Sequence, residues 1–165
     1  MSLSLISKSN LASDKYSSAD GVAPVQHDDK FGIVLVSQGS FATSLHEGVE
    51  HVLGPQSNFV SLAFDQDIVF EDAISQVKQG IDRAACAGGT IILADIFGGT
   101  PCNAAMKFYE KGKVEVIAGI NLPFALKLAK NRTRCSLAEA LDAAHNAGHR
   151  YLISCGDHIG YAAVD

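Results

Sequence analysis

Ile33-Val34-Leu35-Val36 is apolar at every position, and Thr90 to Ala94, TIILA, is nearly so. A strand with one wet face alternates apolar and polar residues. A short run without alternation needs cover on both faces, as strands have in parallel sheets flanked by helices. Between the two runs, apolar residues at 70, 73, 74, 77, 81, 84 and 85 recur at helical spacing. This succession of strand, helix and strand predicts an α/β chain whose crossovers are right-handed, so that every strand ends on the same edge of the sheet.

The remaining elements follow from local signals. Phe31 to Val36 and Asn58 to Phe64 read as the first two strands, separated by a helix over Phe41 to Leu53. Ser40 is placed to cap that helix and Gly54-Pro55 to end it. The next helix spans Val69 to about Ala87, closed by Gly88-Gly89. After TIILA, the stretch TPCNAAMKFYEKG reads as a helix with Thr100 as N-cap and Pro101 at its first position. Lys113 to Ala118 is a fourth strand, and Pro123 starts a helix through Lys130. Ser136 and Glu139 have the spacing of a capping box for a helix through about Asn146, with Gly148 as its stop. Tyr151 to Ser154, YLIS, reads as a last strand.

Three turns should therefore meet on one rim: Ser37-Gln38-Gly39, Asp95 to Thr100, and Gly119 to Pro123. Such a rim is where open α/β sheets collect ligands. Asp95 ends a buried strand, where a carboxylate can hold backbone N–H groups or orient a polar neighbour. Gly98-Gly99-Thr100 permits close backbone approach to an anion, but it has neither the P-loop lysine nor dinucleotide-type glycine spacing. On its own it is a weak signal, and a turn with an N-cap explains it well. Asn103 and Asn121 could hold the adjoining loops through hydrogen bonds.

Composition narrows the choices. One domain suits 165 residues, with 47% apolar and 19% charged residues for a compact core. A net charge of -5 gives no general attraction to nucleic acid or anionic lipid. Cys86, Cys102, Cys135 and Cys155 form no CxxC pair, and the six histidines show no ligand spacing, so no metal or cofactor is expected. His46 and His51 fall on the first helix, His145 and His149 near a helix end, and His27 and His158 in the terminal segments. None lies at a strand end. Residues 1–30, rich in Ser, Asp and Ala, read as a flexible leader, residues 31–154 as the domain and residues 155–165 as a tail.

Three stretches, GIVLVSQGSFATSL, IILADIFGGTPCNAA and EVIAGINLPFALKLA, together resemble the cytoplasmic IIA component of the mannose/fructose/sorbose class of bacterial phosphoenolpyruvate-dependent sugar phosphotransferase systems. The resemblance implies a flavodoxin-like three-layer sandwich around a four-stranded parallel sheet. It also implies a homodimer that exchanges a C-terminal strand, here YLIS. Its members are phosphoryl carriers that accept from the histidine-containing phosphocarrier protein and donate to IIB, which serves the membrane components IIC and IID. The implied location is cytoplasmic or peripheral at that transporter.

In that family the acceptor histidine follows the first strand in a pattern like [ST]-H-G, which here reads Ser37-Gln38-Gly39. Asp95 matches the aspartate that holds the acceptor ring. Phe97, Gly98, Gly99 and Thr100 match the phosphate-side loop, and Asn103, Asn121, Leu122 and Pro123 the supporting turns. A glutamine amide has a delocalised lone pair and cannot replace an imidazole nitrogen as nucleophile. Three readings follow: a carrier whose acceptor has been replaced, a phosphorylation-silent homologue that occupies IIB or a transcription factor, and a flavodoxin-like domain that binds a small molecule without chemistry. The IIA-like subunit of a dihydroxyacetone kinase would also want a histidine at position 38, and the GINLP turn favours the mannose class.

Overall fold

The computed structural model describes residues 30–156. Most of the expected leader and the tail beyond residue 156 lie outside these, together with His27 and His158. Strands β1 (Gly32–Gln38), β2 (Phe59–Phe64), β3 (Thr90–Ala94) and β4 (Val114–Ala118) form one sheet in the order β2-β1-β3-β4. All three pairings are parallel, with Ile33 beside Phe59 on one side and Ile91 on the other, and Ile91 beside Glu115. The helices are α1 (Phe41–Leu53), α2 (Phe70–Ala84), α3 (Thr100–Met106), α4 (Leu122–Asn131) and α5 (Leu137–Arg150).

Successive residues of β1 and β3 enter different cores, which is why neither strand alternates. Ile33, Leu35, Ile91 and Leu93 pack under α1, α4 and α5, whereas Val34, Val36, Ile92 and Ala94 pack under α2 and α3. The α/β sandwich of the sequence reading is therefore the fold. Gly32 is needed for close approach, because a Cβ there would stand 1.8 Å from the Ala84 carbonyl oxygen at the end of α2.

Several local expectations are corrected. Ser40 makes no side-chain cap bond, and the hydroxyl of buried Ser37 instead accepts from Ala42 N at 2.7 Å. Gly99, not Thr100, is the N-cap of α3, which ends at Met106 well short of the predicted helix. The α2 helix stops at Ala84, with Ala85 in an extended conformation. Helix α5 has its capping box, but it runs through Gly148 to Arg150. At Gly148 the helix backbone approaches Phe124, so a Cβ would lie 3.3 Å from that ring. Residues 151–154 form no strand in this chain; Tyr151, Leu152 and Ile153 are exposed without a sheet partner. No helix among the described residues is long and apolar enough to cross a membrane.

Candidate functional site

The three predicted turns meet at the C-terminal edge of the sheet, except that Ser37 and Gln38 are the last residues of β1, paired with Ala63 and Phe64 of β2, and the first turn begins only at Gly39. Each contains a glycine in the left-handed region, with φ of +63° at Gly39, +83° at Gly98 and +78° at Gly119. No atom within 4 Å would meet a Cβ at these positions, so backbone conformation rather than space requires glycine there. Backbone bonds tie the neighbouring strand ends together. Gly39 N donates to Phe64 O at 2.8 Å, Asp95 N to Val36 O at 3.3 Å and Gly119 N to Ala94 O at 3.2 Å.

Ser37 sets the first turn. Its hydroxyl donates to Gly39 O at 2.9 Å while accepting from Ala42 N. One buried side chain thus holds both the turn and the first turn of α1. Gln38, the next residue, is half-buried.

Asp95 spans the gap between β3 and β1. One carboxylate oxygen accepts from Gln38 N at 3.0 Å, and the other accepts from its neighbour's backbone, Ile96 N, at 2.8 Å. The Gln38 side chain turns the other way. Its amide nitrogen donates to the carbonyl oxygens of Phe64 and Asp65, at the end of β2 and just beyond it. Gln38 and Asp95 are joined through backbone, not through the amide.

The supporting residues are built into their own loops. Asn103 Nδ2 donates to Gly98 O at 2.9 Å, bracing the turn that carries Ile96 and Phe97, both strongly exposed. Thr100 and Gly99 open the short α3 beneath it. Asn121 caps α4 by accepting from Phe124 N at 3.1 Å, and its amide donates to Gly148 O at 3.0 Å, linking the third turn to α5. Leu122 and Pro123 form the first turn of α4, with Leu122 exposed. The sequence does not single out the Phe64 and Asp65 carbonyls, since every residue type offers one.

The described histidines stand apart from these turns. His46 lies against the middle of β2, with Nδ1 3.2 Å from Ser61 Oγ and its ring 4.6 Å from that of Phe59. Burial lowers its pKa below the ordinary histidine value, against the opposing pull of Glu50, whose carboxylate is 3.4 Å from Nε2. Nε2 is itself buried. His145 meets the Phe124 ring edge-on at 5.4 Å, and His51 and His149 are exposed on their helices. No group of three His, Cys, Asp or Glu side chains among the described residues could hold a metal ion.

Residues 32–145 match a family model described as the PTS system fructose IIA component. The PTS system fructose-specific EIIA component of Bacillus subtilis is 25% identical over 128 residues, which are 77% of this chain and 88% of that protein. The PTS system sorbose-specific EIIA component of Lacticaseibacillus casei is 31% identical over 108 residues, 65% of this chain and 78% of that one. Among solved structures, phosphotransferase system component EIIA from Streptococcus agalactiae superposes with a TM-score of 0.69 at 21% identity. That superposition covers 77% of this chain and 98% of the other, and supports the fold.

Proposed function

The chain belongs to the PTS fructose IIA family and is a sugar phosphotransferase system component, from which we propose that it docks the partners of a phosphoryl relay without itself carrying phosphate. In this reading Gln38 occupies the acceptor-histidine position between the histidine phosphocarrier protein and IIB. Asp95 is the carboxylate that would orient an imidazole. Gly98, Gly99 and Thr100 form the phosphate-side loop, and Asn103, Asn121, Leu122 and Pro123 support it.

One observation carries the proposal: the side chain that ends β1 is an amide whose nitrogen is bound to the Phe64 and Asp65 carbonyls. Phosphoryl transfer needs an in-line nucleophile as well as electrostatic stabilisation. An amide nitrogen has no free lone pair to supply, and the nearby Ser37 hydroxyl is buried and bonded at both donor and acceptor positions. The remaining frame supports retained docking, with exposed Phe41, Ile96, Phe97 and Leu122 bordering the turns.

The same reading includes a homodimer. β4 is an edge strand, and the apolar residues Tyr151, Leu152 and Ile153 follow α5 exposed and outside the sheet. A strand made from that segment could add to the β4 edge of a second copy. The complex would then stand beside IIC and IID at the membrane.

Phosphorylation tests the central claim. The chain is incubated with enzyme I, the histidine phosphocarrier protein and labelled phosphoenolpyruvate, beside Gln38→His. The expected result is no stable label on the unchanged chain and label on Gln38→His. Label on another histidine of the unchanged chain would refute the silent-carrier reading. An unlabelled Gln38→His would mean that the rim lacks more than its nucleophile.

A further inference from the structure

The helical layer of α1, α4 and α5 carries a second surface, which adjoins the rim at Pro123 and the C-terminal segment at Tyr151 and does not depend on whether position 38 holds phosphate. Helix α4 lies between α1 and α5 and packs on both. Its outward face forms the floor of a trough of about 560 Å³. Along that floor Pro123, Leu126, Lys127 and Lys130 follow each other at helical spacing. Ala143 and Ala147 form the α5 wall, and Val52 and Leu53 close the α1 side.

Two properties of this trough select its occupant. Apolar side chains from all three helices line it, with Tyr151 just beyond the end of α5, and an apolar groove between helices is the kind of surface that takes an amphipathic helix. The charged residues lining it are Lys127, Lys130 and Arg150, with no Asp or Glu among the lining residues. All three are exposed, on a chain whose net charge is -5. The positive lining is therefore local and opposes the sign of the whole molecule.

We infer that the α1–α4–α5 trough docks an amphipathic helix of a partner protein, with leucine-type residues on its buried face and carboxylates flanking that face. The apolar residues enter over Leu126 and between the α5 alanines, while the carboxylates meet Lys127, Lys130 and Arg150.

The test uses the full chain and two fluorescent lactam-locked helical peptides of about 14 residues, long enough to span the α4 face. Both carry Leu at i, i+3, i+4 and i+7; one has flanking Glu and the other Lys at the same positions. Anisotropy should show the Glu peptide binding about tenfold more tightly, with affinity falling as salt rises. Lys127→Glu with Lys130→Glu should reverse the preference while far-UV circular dichroism stays unchanged. Equal binding of the two peptides, no binding of the Glu peptide, or indifference to charge reversal overturns the inference. So does stronger charge-dependent sedimentation with phosphatidylglycerol vesicles than with the peptide. A homodimer that dissociates on the charge reversal also overturns it, by assigning the trough to a second copy.

Discussion

Ser37→Ala isolates the side chain that shapes the rim. The hydroxyl is fully buried, accepts from Ala42 N at 2.7 Å and donates to Gly39 O at 2.9 Å. Losing a helix cap costs about 0.5–2 kcal/mol. A buried donor left unsatisfied costs about 1–3 kcal/mol, overlapping with the lost cap bond because the donor is the same N–H. Since Ala42 is itself buried, water cannot easily replace the hydroxyl. We expect a loss of about 2 kcal/mol, a large part of a typical domain's 5–15 kcal/mol. Urea unfolding should show a lower midpoint at unchanged slope, and the melting temperature should fall by about 4–8 °C. Ser40→Ala is the matched control, because Ser40 is exposed and makes no side-chain cap bond. It should stay within about 0.5 kcal/mol. Equal effects from the two substitutions, or a Ser37→Ala loss below about 0.5 kcal/mol, would refute the assignment of the cap to Ser37.

His46 has a folded pKa below its ordinary value of about 6.5, chiefly through burial, so below that pH the unfolded chain binds a proton that the native chain resists. Stability in urea should therefore fall as pH drops from about 6.5 toward the folded pKa, and His46→Gln should flatten that part of the profile; an unchanged slope would refute the assignment. Gly32→Ala places a Cβ 1.8 Å from the backbone oxygen of Ala84, and should cost about 3 kcal/mol or more in the same unfolding assay. A near-neutral result would mean that α2 can withdraw from β1.

The parts of the fold legible in the sequence are those decided by local chemistry. TIILA becomes β3 at its expected limits because both faces of that run need cover. Ser136 and Glu139 form their capping box because the two partners are only three residues apart. Positions decided by tertiary approach were less legible. Gly148 has the appearance of a helix stop, yet it serves as the place where α5 passes Phe124 and receives the Asn121 amide. Ser40 occupies the right sequence position for a cap, but Ser37 reaches Ala42 from the preceding strand end. The YLIS run has strand composition, but strand geometry also requires a paired neighbour, and among the described residues this segment follows α5 without joining either edge of the sheet.

Topology explains why the rim was legible while the direction of its central side chain was not. In the order β2-β1-β3-β4, the crossover from β1 goes outward to β2 and the return passes to β3 on the other side. The loops leaving β1 and β3 therefore diverge, opening a crevice between those two strand ends whatever residues occupy them. Asp95 crosses it to reach Gln38 N, which could be anticipated from two adjacent strand ends. The Gln38 amide instead bonds beyond β1, to carbonyls at and after the end of β2. A group entering the crevice would thus meet the Asp95 carboxylate and the turn backbones, with the amide drawn to the far side. Position 38 belongs to the crevice by its backbone and to the β2 end by its side chain, so the fold alone cannot confer the chemistry of an acceptor.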